Sequence, residues 1–507
     1  MTPLIAFDHE LYLQEQTEAI SRRVSQFDNK LYLEFGGKLL FDYHAARVLP
    51  GFRPNSKMQV LHRLKDQAEL ILCIYAGDIQ RRKMRADFGI SYDADAFKLV
   101  DDLRDWGVEV RSVVITRFAG ESGAVTFGKR LQRQGISVYY HKPIAGYPLD
   151  LELILSDQGY GANPYIETSR PLVIVTAPGP NSGKMGTCLS QIYHEGRRGI
   201  RAGYAKFETF PVWNLPVRHP INIAYEAATA DLGDVNMIDP FHLEAHGVTA
   251  TNYNRDIQAF PLLRRILGRI MGGTCPYQSP TDMGVNRVGF ALVDDGASRH
   301  AACQEILRRY YRCSSDVLLG QADAAALQKI EGLMEELSIT GQDRPVVQPA
   351  FDAAAKAESK VRDTALGGIC VGAALQLPDG PIITGKNSPL LHAASALVLN
   401  CIKRLAGLPE DLDLLSPNVI ASIALLKKDI LGRRSVSLDL GETLIALSVS
   451  STTNPAAAMA MNRLPDLRGC DAHMTHLPTA GDERAFRRLG IHLTCSPAFA
   501  TNKLFVS

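Results

Sequence analysis

Between Thr176 and Met185 the chain reads TAPGPNSGKM, a bend rich in the residue types that hold phosphate. Backbone N–H groups of a glycine-bearing bend curl around phosphate oxygens. The start of a following helix adds partial positive charge, and a lysine reaches the outer phosphates. Gly179, Asn181, Ser182, Gly183 and Lys184 are therefore the expected phosphate contacts, with Lys184 also stabilising charge during transfer. The pattern departs from G-x-x-x-x-G-K-[ST] at two places. Pro178 fills the first glycine slot, and Met185 fills the slot whose hydroxyl normally touches magnesium. Either Thr187 or Ser182 then supplies that oxygen, or the metal is held from elsewhere.

Other groups are spaced for chemistry. His44 and Arg47, in DYHAAR after an apolar run, are candidates for an acid/base and an anion-binding group. The stretch 225–247 is dense in acids: Glu226, Asp231, Asp234, Asp239 and Glu244. His242 and His246 share a helix face there, with Asp239 a turn earlier. Leu243 after His242 departs from H-E-x-x-H, so magnesium held by one or two carboxylates is expected in preference to zinc. Asp294 and Asp295, ending the strand-like run Val288–Val293, compete for that role. Lys386, Asn387 and Ser388 form a second anion-binding candidate, and His473 and His476 read as surface or edge residues.

The elements that must position these groups follow from periodicity. Leu172–Thr176 is a short β-branched run suited to a parallel sheet, and Met185, Leu189, Ile192 and Tyr193 have helical spacing after it. Asp8–Phe27 reads as an amphipathic helix, and Leu31–Phe41 as two strands hinged at Gly36-Gly37. From Glu69 to Tyr140 strand and helix patterns alternate, which predicts a parallel, doubly wound sheet. No G-x-G-x-x-G follows its first strand. Prolines and glycines between 141 and 170, around a strand-like Leu151–Ser156, mark a boundary. Gly203–Glu208 is the next strand and Arg255–Met271 a helix. Further on, Gly367–Leu377 and Ile382–Thr384 flank a turn at Pro378-Asp379-Gly380, and Leu444–Val449 reads as a strand. Three domains are expected: 1–165 Rossmann-like, 166–340 P-loop-like, and 341–507 α+β.

Bulk properties narrow the function class. The chain is 507 residues long, 46% hydrophobic and 21% charged, with net charge +1 and mixed signs, which argues against an electrostatic nucleic-acid binder. No apolar run approaches the length of a membrane span, and the N-terminal residues lack a secretion pattern. Nine dispersed cysteines without a C-x-x-C pair fit reduced thiols in a cytoplasm.

The series APGPNSGKM, AKFETFPVWN and ATADLGDVNMID resembles the P-loop subclass of dethiobiotin and CTP synthetases. That resemblance implies Lys206 near a transferred phosphate and Glu226 or Asp231 near the metal. Longer strings, among them KLYLEFGGKLLFDYHAARVLPGF, YEAATADLGDVNMIDPFHLEA and SPTDMGVNRVG, resemble the bacterial family known as domain of unknown function 1846, or uncharacterised protein family 0371. The expected function is a magnesium-dependent, nucleotide- or phosphate-binding enzyme, transferring phosphoryl from ATP or ligating a small polar metabolite. Lys184, Lys206 and His44 would be catalytic, and Glu226, Asp231 and Asp239 would bind metal. The alternatives are a non-hydrolysing phosphometabolite binder, and a sugar-phosphate lyase or isomerase using His44 or His242. A phosphorylated small molecule and a second copy of the chain are the expected partners.

Overall fold

The computed structural model describes residues 5–85, 90–361, 369–433 and 435–501. They fall into two compact units, one of residues 2–229 with 234–302, the other chiefly 303–507 with 230–233.

The first unit is built on six strands: β1 (Leu31–Phe35), β2 (Ala68–Tyr75), β3 (Val110–Thr116), β4 (Ser137–Tyr140), β5 (Leu172–Thr176) and β6 (Gly203–Phe207). They form one parallel sheet in the order β4–β3–β2–β5–β1–β6. This is an α/β fold with a Rossmann-like parallel sheet. The inner strands LYLEF, AELILCIY and LVIVT are almost entirely buried, as near-continuous apolar runs must be when both faces are covered. Glu69 is a buried exception. Its Oε1 accepts the N–H groups of Ser169 and Arg170, 2.6 Å from each, and so fixes the chain's entry into β5.

Several expectations are corrected. A boundary at 165/166 would cut this sheet, because β5 and β6 pair with strands from the other side of it. The Pro/Gly-rich stretch is a crossover from the sheet edge to its interior, and Leu151–Ile154 within it is a helical turn capped by Asp150. Gly36-Gly37 turns no hairpin. β1 already has parallel partners on both edges, so the chain leaves the sheet and enters the helix Tyr43–Val48. Val288–Phe290 is a 3-10 turn, not a strand, and Asp294 caps the helix Asp295–Leu318 through the Ala297 N–H.

A small antiparallel pair, β7 (Asn236–Ile238) and β8 (Thr251–Tyr253), completes the first unit's strands needed below. In the second unit β9 (Gly372–Gln376), β10 (Ile382–Lys386), β11 (Asp471–Met474) and β12 (His492–Cys495) form a mixed sheet in the order β10–β9–β11–β12. The turn from β9 to β10 passes through Gly380 at φ +107°, a conformation glycine supplies without strain. The expected start of β9 at Gly367 lies outside the described residues. Leu444–Val449 belongs to the helix Leu440–Ser451, whose start is fixed by a reciprocal Asp439/Glu442 capping box; a short apolar run alone does not separate strand from helix. His473 is buried in β11 rather than at the surface, with its ring nitrogens 3.0 and 3.1 Å from the hydroxyls of Thr494 and Ser496.

Candidate functional site

The chain leaves β2 towards β3 on one side and leaves β5 towards β6 on the other. Connections therefore diverge between two neighbouring strands. In open α/β sheets ligands lie outside the carboxyl ends of strands at such a point. The bend 177–183 starts from β5 there. Asn181 and Gly183 hold φ of +56° and +84°, and a Cβ on Gly183 would stand 2.9 Å from the Thr116 side chain. Thr116 Oγ1 donates to the Ser182 carbonyl at 2.8 Å. The Arg117 guanidinium lies 3.7 Å over the Tyr75 ring and donates to the Asn181 carbonyl. The bend is thus clamped by the ends of β2 and β3.

Lys184 opens the helix Lys184–Arg197 and makes no hydrogen bond or ion pair among the described residues. The expected hydroxyls are otherwise engaged. Ser182 Oγ turns back to the Gly179 carbonyl at 2.7 Å, and Thr187 is buried against the Cys73 thiol at 3.4 Å. Thr187 sits on the helix face that packs on the sheet, where its hydroxyl meets β2.

Strand β6 lies two places from β5, about 10 Å at ordinary strand spacing. On it Lys206 sits opposite Glu34 of β1. Lys206 Nζ is 2.7 and 2.8 Å from the two oxygens of Asp256, 3.3 Å from Glu208 Oε1, and bonded to the Tyr253 hydroxyl. Tyr253 in turn donates to Glu208 at 3.2 Å, and Tyr204 donates to Glu34 at 2.8 Å. Burial alone would lower the pKa of Lys206, but Asp256, Glu208 and Glu34 outweigh it and raise it. Burial raises the Glu208 carboxyl, and Asp256 and Glu34 add to this against the pull of Lys206, so that it stands well above the usual carboxylate range, at about 7. A carboxyl poised there can give or take a proton at neutral pH. Lys206, Glu208, Asp256, Asn252, Asn286 and Trp213 are among the groups lining a small, open polar pocket.

The segment 42–47 folds beside the ends of β1 and β6. Asp42 pairs with Lys57 at 3.0 Å, accepts from Thr209 at 3.2 Å and caps the helix that carries His44 and Arg47. His44 stands edge-on to Phe210, ring centres 5.3 Å apart.

The three acids expected to bind metal do not form one ligand set. Glu226 accepts the Asn236 N–H at 3.2 Å and ties its helix to β7. Asp239 caps the helix Pro240–His246 with one oxygen and holds Thr281 with the other. Asp231 belongs to the other compact unit. Asp239 is taken up by capping and Glu226 by a backbone N–H, so a run of acids in sequence need not make one ligand set. Among the described residues the set of three whose ligand atoms all lie within 4.8 Å is His242, His246 and Asp282.

Glu34, Tyr253, Asp256 and Asp282 were not singled out by residue pattern. Glu34 carried a signal, an acid inside an otherwise apolar parallel strand; the others owe their place to partners far away in sequence.

Residues 5–338 match the family model "Domain of unknown function DUF1846, N-terminal", and residues 342–505 match "Domain of unknown function DUF1846, C-terminal". A UPF0371 protein of Clostridioides difficile (strain 630) is 52% identical over 505 residues, covering 99% of this chain and 100% of that one. A UPF0371 protein of Clostridium botulinum (strain 657 / Type Ba4) is 51% identical over 501 residues, covering 99% of each. Among the described residues no helix is long and apolar enough to cross a membrane.

Proposed function

The chain belongs to the DUF1846 family, and from that kinship and the geometry above we propose that it is an enzyme acting on a phosphorylated small molecule at the carboxyl edge of its parallel sheet. The phosphate lies in the bend 177–184, and the reacting end lies in the pocket of Lys206, Glu208 and Asp256. One observation carries this reading: Lys184, without an ion pair among the described residues, opens a helix where strand connections diverge and stands two strands from the polar pocket in which Lys206, Glu208 and Asp256 meet. In this reading the sheet is doubly wound and the bend is a variant phosphate loop.

The form we favour is phosphoryl transfer from ATP or a related nucleotide, or ATP-driven ligation, to a small polar acceptor. Lys184 binds the outer phosphates, Lys206 stabilises charge on the transferred group, and Glu208 takes the acceptor's proton. Bound magnesium would neutralise phosphate oxygens. Glu34, paired with Lys206 in the register of β1 and β6, is a further carboxylate that could hold it beside Glu226, Asp231 or Asp239. The reading also takes the chain to work in the cytoplasm as a homo-oligomer.

A second reading is favoured by Glu208 itself. A carboxyl raised by burial beside a tyrosine and a lysine suits proton transfer in a sugar-phosphate isomerase or lyase. Magnesium-dependent turnover of nucleoside triphosphates by the wild type and by Lys184→Ala, with a thermal-shift series of phosphorylated compounds, separates the two. ATP turnover that falls at least about 100-fold in Lys184→Ala supports transfer. No turnover, with a sugar phosphate raising the wild-type melting temperature alone, supports the second reading. A wild type that no phosphorylated compound stabilises or reacts with overturns both.

A further inference from the structure

The helix Pro240–His246 presents His242 and His246 one turn apart, ring centres 4.5 Å from each other. Both face a single carboxylate on a separate element, the capped turn Ser279–Met283. Asp282 Oδ1 is 3.5 Å from His242 Nδ1 and 3.0 Å from His246 Nε2. We propose that His242, His246 and Asp282 form a binding site for a divalent first-row transition metal ion of the zinc class.

The carboxylate is held in position independently of the histidines. Asp282 Oδ2 accepts the backbone N–H groups of Gln278 and Ser279, 3.1 Å from each, and also lies 3.1 Å from His246 Nε2, while Oδ1 faces both imidazoles. The helix and the turn are pinned to one another by Asp239. Its Oδ1 caps the histidine helix through Phe241 and His242, and its Oδ2 accepts from the Thr281 hydroxyl at 2.7 Å, next to Asp282. The His242 ring is backed by Trp213 at 6.0 Å, and Ser279 Oγ lies 3.0 Å from its Nδ1. The Trp213 contact and the Asp239 caps orient the ligands from outside, as such contacts do in metal sites, whereas Ser279 Oγ shares Nδ1 with the ion and would give way to it.

A simple ion pair would need one histidine. Here two imidazoles address one oxygen, and donor atoms within 4.8 Å of one another need only close slightly to meet one ion at 2.0–2.2 Å bonds, typical for zinc. Two nitrogens and one oxygen suit zinc, cobalt or nickel, whereas magnesium and calcium prefer all-oxygen sets. Three protein ligands leave a coordination position open. Thr281, adjacent to Asp282, and Trp213, backing His242, both line the pocket of Lys206 and Glu208, so the ion would sit at that pocket's rim.

Calorimetric titration of chelator-treated full chain with Zn²⁺ tests the site, alongside Co²⁺ titration read by visible absorption and tryptophan fluorescence. The expected result is one site per chain, with Co²⁺ quenching emission from Trp213 and with no competition from millimolar Mg²⁺. His246→Ala removes a partly exposed ligand, and Asp282→Asn keeps an oxygen for the capping N–H groups. Each should weaken Zn²⁺ binding by at least about 100-fold while far-UV circular dichroism stays unchanged. Absence of a Zn²⁺ site in the wild type, affinity within threefold of wild type in both variants, or equal binding of Mg²⁺ overturns the assignment. The ATP and sugar-phosphate assays do not enter this outcome, so either proposal can fail alone.

Discussion

Replacing Lys206 with methionine keeps the bulk of the side chain and removes its charge. Asp256 and Glu208, 18% and 16% exposed, would then face one another and Glu34 without the cation that joins them. Removing one partner of a largely buried pair costs about 3–5 kcal/mol. The pKa of Lys206 is raised above its ordinary 10.5, so the ammonium's contribution is complete at every pH below that value and is lost only in strong alkali. At pH 7 the loss of the ammonium is therefore felt, less what Glu208, at about 7, recovers by taking up a proton. With each kcal/mol worth about 2–4 °C in a unit of this size, the first unit's transition should fall by about 6–20 °C. Differential scanning calorimetry of the full chain at pH 7 and pH 5 reads it. The deficit should shrink at pH 5, where the raised Glu208 carboxyl is protonated, and Lys206→Met/Asp256→Asn should regain at least half of it at pH 7. A fall below about 2 °C, or a double variant no more stable than the single one, would refute the view that these acids depend on Lys206.

Two further outcomes follow from single contacts. Gly183→Ala places a Cβ 2.9 Å from Thr116 at φ +84°, which should cost at least about 1 kcal/mol and abolish any thermal shift given by ATP or inorganic phosphate; a variant still stabilised like wild type would count against phosphate in the bend. In the second unit burial lowers the pKa of His392, but its 2.8 Å bond to Asp482 and the charges of Asp482 and Asp439 outweigh that and raise it above 6.5. The stabilisation is complete below pH 6.5 and is lost as pH rises through the raised value. Thermal unfolding at pH 6 and pH 8.5 should show the second unit weakening, and His392→Gln should flatten that slope; an unchanged slope would exclude the pair as its source.

Much of the architecture is written locally in the chain. β-branched runs announce β2, β3 and β5, the proline-aspartate-glycine turn announces the hairpin of β9 and β10, and the bend 177–184 lies between a strand and a helix as its residues require. Each depends on neighbours within one or two turns, so periodicity and turn chemistry suffice to find it. The errors arose where local signals have two outcomes. The glycines after β1 suggested a hairpin until β5 and β6 took both of its edges, and among the acids that suggested a metal cluster Glu226 is held by a backbone N–H and Asp239 by capping.

Tertiary structure alone decided who meets whom. Inserting β1 between β5 and β6 brings Glu34 to Lys206, and Asp239 binding Thr281 brings Asp282 to His242 and His246. Strand order and element docking are set by the burial of whole faces, a sum over the unit that no short window contains. A residue's type can thus advertise the chemistry it is capable of, but the partners that tune it are chosen by packing.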